Sequence, residues 1–286
     1  KADDFINAKK IVKQAKKQGF AIDKIINFEK KLPEKKINKN VNGLNPSEDQ
    51  INNLLEQYQK GRFADAEEYA ISMTDRFPKH QFAWKILGSI YLSTSRLPEA
   101  LNANQKAIEL SSQDAEAYNI LGLTYKELGR LEEAEASCLK AIKLSPKLFQ
   151  AHSNLGNILK ELDKPEEAKA CYLQALELNP NLAEVHSNLG NVFKDLKKLQ
   201  KAEASYLHAL ELNPNLAEAH SNLGDIFKEL GRLQEAEASC LKAIELNPNL
   251  AEAHNNLGVT YKELGRLQEA EASCLKAIEL NPNLAE

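Results

Sequence analysis

Two consecutive stretches decide the fold: AEAHSNLGDIFKELGRLQEAEASCLKAIELNPNL at residues 217–250 and AEAHNNLGVTYKELGRLQEAEASCLKAIELNPNL at 251–284. Both are 34 residues long, and they differ only at Ser221/Asn255, Asp225/Val259, Ile226/Thr260 and Phe227/Tyr261. Stepping back by the same period gives units at 183–216, 149–182, 115–148, 81–114 and, more degenerate, 47–80. Self-similarity at such a period means one supersecondary unit stacked many times, because a single unit cannot bury its own apolar face.

Each unit predicts two helices. In 217–250 the first runs from about Ala217 to Leu230, with His220, Leu223, Gly224 and Phe227 on one face. Gly231 supplies the left-handed conformation that ends it. The second, Leu233 to Leu246, buries Ala236, Cys240, Ala243 and Ile244. Asn247-Pro248 stops it, since proline cannot continue a helix and restricts the residue before it. Asn249, with Glu252 three residues on, is expected to cap the next helix. Small residues such as Gly224 and Ala236 allow close approach of the paired helices.

The pattern resembles the tetratricopeptide repeat (TPR) family, whose signature is a large residue, Leu-Gly, an aromatic, then Ala, an aromatic, Ala and Pro. Unit 183–216 matches with His186, Leu189, Gly190, Phe193, Ala202, Tyr206, Ala209 and Pro214. Unit 115–148 has Tyr118, Leu121, Gly122, Tyr125, Ala134, Ala141 and Pro146, with Cys138 at the second aromatic place. Unit 81–114 carries Trp84, Leu87, Gly88, Tyr91, Ala100 and Ala107, but Asn104 and Ser112 replace the aromatic and the proline. Unit 47–80 keeps Leu54, Tyr58, Ala66, Ala70 and Pro78, with Leu55 in place of the glycine. The resemblance implies an all-α, right-handed superhelical α-solenoid of seven helix-turn-helix repeats over 47–286, with an extended concave binding face. Residues 1–46 lie outside it.

On a 100° wheel the first helix packs through its fourth, seventh, eighth and eleventh positions. The second, fifth, sixth, ninth, twelfth and thirteenth face away, and in TPR proteins that face lines the groove. The sixth position is Asn52, Ile86, Ile120, Asn154, Asn188, Asn222 and Asn256; the ninth adds Asn157, Asn191 and Asp225 before Val259. The twelfth is Lys160, Lys194, Lys228 and Lys262, each beside an acid. Asparagine offers one acceptor and two donors, so a row of them can hold the carbonyls and amides of an extended peptide without reading its side chains. A similar asparagine ladder, in a Ser-Asn-Leu-Gly-Asn phrase, is a feature of the TPR superhelix of O-linked GlcNAc transferases; here it is 153–157 and 187–191. The plainer reading makes these asparagines tolerated solvent-facing residues copied by duplication. Ile86, Ile120 and Leu123 make the early groove more apolar, through local packing or as an anchor for a ligand.

Chemistry is sparse. His152, His186, His220 and His254 recur once per repeat on the packing face, whereas zinc needs several ligands converging on one ion. Cys138, Cys171, Cys240 and Cys274 are expected to be reduced, small core residues. No phosphate loop, His-Glu-x-x-His motif or nucleophile elbow occurs, so no catalysis and no cofactor are expected. No apolar run is long enough to span a membrane. The net charge of -4 gives no argument for nucleic acid.

That charge is uneven. Residues 1–46 hold twelve lysines and five acids, a net of +7, which leaves -11 for the rest. Phe5, Ala8, Val12 and Ala15 form an apolar stripe among lysines, Ile22, Ile25 and Ile26 suggest a second short helix, and 33–46 suggests a linker. Ser47 and Gln50 form a capping box for the first repeat. The first residue is Lys1 rather than methionine, which suggests a fragment or a processed form.

The leading expectation is a cytoplasmic protein-interaction scaffold that binds extended peptide. A substrate-recruiting region of a larger modifying enzyme is the second reading, and a self-assembling repeat protein, stacking through an uncapped last helix (Leu267 to Leu280), is the third.

Overall fold

The computed structural model describes residues 45–285. The helices and linker expected at the basic N-terminus therefore lie almost wholly outside the described residues. From Glu48 the chain forms seven helix pairs: α1 (Glu48–Gln59) with α2 (Phe63–Arg76), α3 (Gln81–Ser93) with α4 (Leu97–Leu110), α5 (Ala115–Glu127) with α6 (Leu131–Leu144), and α7 (Phe149–Glu161) with α8 (Pro165–Leu178). There follow α9 (Ala183–Asp195) with α10 (Leu199–Leu212), α11 (Ala217–Glu229) with α12 (Leu233–Leu246), and α13 (Ala251–Glu263) with α14 (Leu267–Leu280). A short 3₁₀ turn, Pro282–Ala285, closes the described chain. The molecule is the α-solenoid that the period implies, each pair packing on the next.

The glycine at the eighth position of the first helix makes the pairing possible in repeats two to seven. A Cβ on Gly190 would lie 2.7 Å from the Tyr206 ring, and one on Gly224 would lie 2.6 Å from Cys240 Sγ. Tyr206, Tyr172, Cys138 and Cys240 are all fully buried beneath these glycines. In the first unit the corresponding place is filled by Leu54, 0% exposed, and not by Leu55 as expected. The turn fixes this register, because Arg62 N–H bonds Gln57 O where Arg130 N–H bonds Tyr125 O.

First helices bury more than the wheel suggested. Positions three and ten (Val185 and Val192, Ala219 and Ile226) are as buried as the fourth and seventh. They share core clusters with the second helix of the preceding repeat, Val185 and Val192 with Tyr172, Ala219 and Ile226 with Tyr206; first helices also touch from repeat to repeat, while second helices of successive repeats do not pack comparably among the described residues. First helices thus form the inner wall of the solenoid and second helices the outer.

The turn between paired helices always passes through a left-handed residue. Gly61, Gly129, Gly231 and Gly265 hold it in four repeats, but Ser95, Asp163 and Lys197 hold it in three, with φ of 55°, 57° and 56°. A lysine there carries a Cβ penalty of about 1–2 kcal/mol, part of which glycine's greater backbone freedom would offset. Lys197→Gly is therefore expected to raise stability by up to about 1 kcal/mol, measured as a higher urea midpoint at unchanged slope.

Caps follow the sequence at one end and not at the other. Ser47 and Gln50 form the expected capping box, with Ser47 N–H donating to Gln50 Oε1 at 2.9 Å. Asn249 does not cap α13. The helix starts one residue later than expected, with Leu250 at the N-cap and no side-chain bond there; Asn249 N–H donates to Asn247 Oδ1 at 3.1 Å in a local turn. The Asn-Pro-Asn-Leu phrase repeats this turn at Asn213 and Asn179. Outside the core, Arg232 lies over the Phe227 ring at 4.3 Å and bonds Glu203 of the preceding repeat at 2.6 Å. Arg96 and Arg266 make equivalent links to Glu67 and Glu237, so the outer edge is stitched between repeats.

Candidate peptide-binding groove

The expected site residues all lie on first helices, along the inner wall, yet they do not form a row of free amides. Asn188 Nδ2 donates to Asn157 Oδ1 at 3.0 Å, and Asn222 Nδ2 donates to Asn191 Oδ1 at 3.0 Å. Asn154 Nδ2 donates to Asn119 Oδ1 at 2.9 Å, and Asn256 Nδ2 bonds Ser221. Position six of repeats four to seven is thus a link to the repeat before it. Sequence reading missed this, because the partners are 31–35 residues apart and only stacking brings them together.

Asn157 Oδ1 also accepts from Tyr172 Oη at 2.7 Å, and Asn191 Oδ1 from Tyr206 Oη at 2.6 Å. Both lone pairs of each carbonyl are then used. The Nδ2 groups of Asn157 and Asn191 and the Oδ1 atoms of Asn188 and Asn222 have no protein partner among the described residues. These unspent groups line hollows in the inner wall. One of about 360 Å³ is bounded by Asn157, Asn188, Lys126, Lys160, Glu161 and Tyr172. Another, of about 400 Å³, is bounded among others by Ser187, Asn188, Asn191 and Asn222. A third, of about 450 Å³, includes Asn119, Leu123 and Asn154.

The lysines divide into two groups. Lys194 and Lys228 both bond Asp225, at 2.5 and 2.6 Å. Asp225 is 9% exposed; burial alone would raise its pKa, but hydrogen bonds and charge from the two lysines outweigh that and hold it below the ordinary carboxylate value. The sign follows. Stability from this cluster is present above the ordinary aspartate pKa of about 4 and is lost as pH falls through the lower folded value. Asp225→Ala should accordingly flatten the acid limb of a stability–pH curve. Lys160 and Lys262 are exposed and have no ion-pair partner among the described residues.

The early groove is less open than its sequence suggests. Ile86 is 6% exposed and belongs to the core of the first two repeats, so it anchors no ligand. The repeating histidines are structural: Nε2 of His152, His186, His220 and His254 lies 2.9–3.0 Å from the carbonyl of Pro146, Pro180, Pro214 and Pro248 respectively. Each staples the start of one repeat to the loop that ends the previous one. Among the described residues no group of three or more His, Cys, Asp or Glu is placed to hold a metal ion. The four cysteines are unpaired, and burial pushes the Cys138 and Cys240 thiols up to about 12. No described helix is long and apolar enough to cross a membrane.

Comparisons with known proteins fit this geometry. Tetratricopeptide-repeat models match residues 115–148, 137–170 and 251–284. A further TPR-repeat model matches 88–129, 156–197, 190–231 and 224–265. No curated protein matches in sequence. Among solved structures, the APC/C hetero-tetramer Cut9-Hcn1 aligns over 83% of this chain with a TM-score of 0.72 at 19% identity. This chain spans about half of that one (47%). PilF of Pseudomonas aeruginosa aligns over 76% of this chain and 95% of its own, with a TM-score of 0.65 at 21% identity. YrrB, described as a TPR protein with an unusual peptide-binding site, aligns over 64% of this chain and 94% of its own, at 30% identity and a TM-score of 0.54. The repeated match over 88–284, together with the helix pairs at both ends of it, shows that the chain belongs to the tetratricopeptide repeat family.

Proposed function

We propose that this chain is a protein-interaction scaffold that holds an extended peptide along the inner wall of repeats four to six. The observation that carries this reading is the unspent hydrogen-bonding capacity of Asn157, Asn188, Asn191 and Asn222 at the hollows they line. Amide donors and acceptors alternating along a groove match a peptide backbone and are indifferent to its side chains. The peptide-binding site described for YrrB, at 30% identity, supports the same use of the fold. Lys160, exposed at the rim and free of an ion-pair partner among the described residues, adds attraction for an acidic ligand.

Substituting Asn154, Asn188, Asn222 and Asn256 together is a poor test, because each also links two repeats. Asn157→Asp with Asn191→Asp is cleaner, since it keeps the inward oxygen that accepts from Tyr172, Asn188, Tyr206 and Asn222 and replaces only the outward Nδ2 donor. Binding of a degenerate library of acidic peptides, followed by fluorescence anisotropy, should weaken about tenfold or more, as two or more net hydrogen bonds of about 0.5–1.5 kcal/mol each are lost. Unchanged binding by the folded variant would overturn the reading.

A further inference from the structure

The ninth position of the first helix and the eighth of the second vary together within this one chain. Where the latter is tyrosine (Tyr172, Tyr206), the former is asparagine (Asn157, Asn191). Where it is cysteine (Cys138, Cys240, Cys274), the former is Leu123, Asp225 or Val259. The structure gives the reason. Each tyrosine ring lies beneath Gly156 or Gly190, fully buried, and its hydroxyl emerges at the neighbouring asparagine, 15 residues back.

That hydroxyl has a single hydrogen-bond partner, so its proton has only the asparagine to go to. A buried O–H without an acceptor is costly, and it therefore selects the amide orientation in which Oδ1 faces the tyrosine. Asn157 and Asn191 are then fixed with the carbonyl inward, shared with the next repeat's Asn188 or Asn222, and with Nδ2 outward. Each step of the groove consequently presents a donor on the N-terminal side and an acceptor, the Oδ1 of Asn188 or Asn222, on the C-terminal side. In an extended chain the N–H and C=O of one residue point to the same side, the N–H lying nearer the chain's N-terminus. A ligand residue puts its C=O on Asn157 Nδ2 and its N–H on Asn188 Oδ1 in only one direction, and the next step, Asn191 with Asn222, has the same polarity.

The geometry points to Tyr172 and Tyr206 as positioning residues that make the groove directional: they fix two asparagine amides so that an extended peptide lies with its N-terminus toward repeat seven. This rests on the groove being the peptide site, and the test separates the two claims. Degenerate acidic peptides carrying benzophenone at either end are photocrosslinked to the full chain and to Tyr172→Phe/Tyr206→Phe, which keeps the rings but not the hydroxyls. In the unaltered chain the N-terminal label should attach within 217–284 and the C-terminal label within 81–148, with a bias of roughly tenfold that falls to near parity in the double variant. Equal labelling of both ends in the unaltered chain overturns the directionality while leaving the groove reading intact. A bias that persists without the hydroxyls overturns the role of the tyrosines, and crosslinks wholly outside the groove overturn both. A ligand-free check uses solvent exchange of the side-chain amides. The Nδ2 protons of Asn157 and Asn191 should exchange freely and become partly protected when the hydroxyls are removed; protection in the unaltered chain contradicts the assigned orientation.

Discussion

Tyr206→Ala should be among the most destabilising single changes in the chain, at about 3–5 kcal/mol. Tyr206 is fully buried, packs beneath Gly190, and joins Leu223, Ile226 and Phe227 of the next repeat in one core cluster. The aromatic ring thus fills both the space within repeat five and part of the boundary with repeat six. In a solenoid each repeat contacts only its neighbours, so a cavity at one boundary weakens the coupling there and leaves distant repeats unaffected. Urea unfolding of Tyr206→Ala should lose its single transition, and hydrogen exchange should quicken first in residues 183–250. Tyr206→Phe, which keeps the ring, should cost only the single bond to Asn191, about 0.5–1.5 kcal/mol. A small, uniform effect of the alanine variant would show that the boundary is not held together in this way.

The second large effect concerns association. On α12 the inner face is covered by α13: Cys240 is fully buried and Leu233 is half-buried. On α14 Leu267 is 68% exposed where Leu233 is half-buried, and Ile278 is 39% exposed where Ile244 is half-buried, while Leu275, at 60%, is little more open than its counterpart Leu241 at 46%. Covering Leu267 and Ile278 contributes on the order of 2 kcal/mol, somewhat more than one decade in a dissociation constant. The chain as given should therefore self-associate through α14, with a sedimenting mass that rises with concentration. A contact between this face and the other end of a second copy would not close on itself, and it would lengthen into rods. Leu275→Glu with Ile278→Lys should hold the chain monomeric. A monomer at all concentrations before substitution would count against an adhesive last helix.

Much of the architecture was legible because it is periodic. The eighth-position glycines, the left-handed Gly231 and the Ser47–Gln50 capping box each depend on contacts a few residues away or on a pattern repeated seven times. The failures share a different cause. Val192 and Ile226 are buried at a position the wheel placed off the packing face, because the wheel supposes one partner and a first helix here has several. Asn249 has the right residue type for a cap, but it lies in the Asn247 turn and the helix begins one residue later, behind Leu250. The asparagines were recognisable as inner-wall residues from the sequence. That the position-six amides are spent on the preceding repeat was not, since Asn188 and Asn157 meet only once the solenoid has stacked.

The most direct test of the account follows the side-chain amides of selectively labelled asparagines by NMR as peptide is added. Binding in the groove predicts shifts at Asn157, Asn188, Asn191 and Asn222 together, with Asn179 and Asn247 in the inter-repeat turns unmoved. Saturable peptide binding that shifts the turn asparagines, or none of the four, would contradict it.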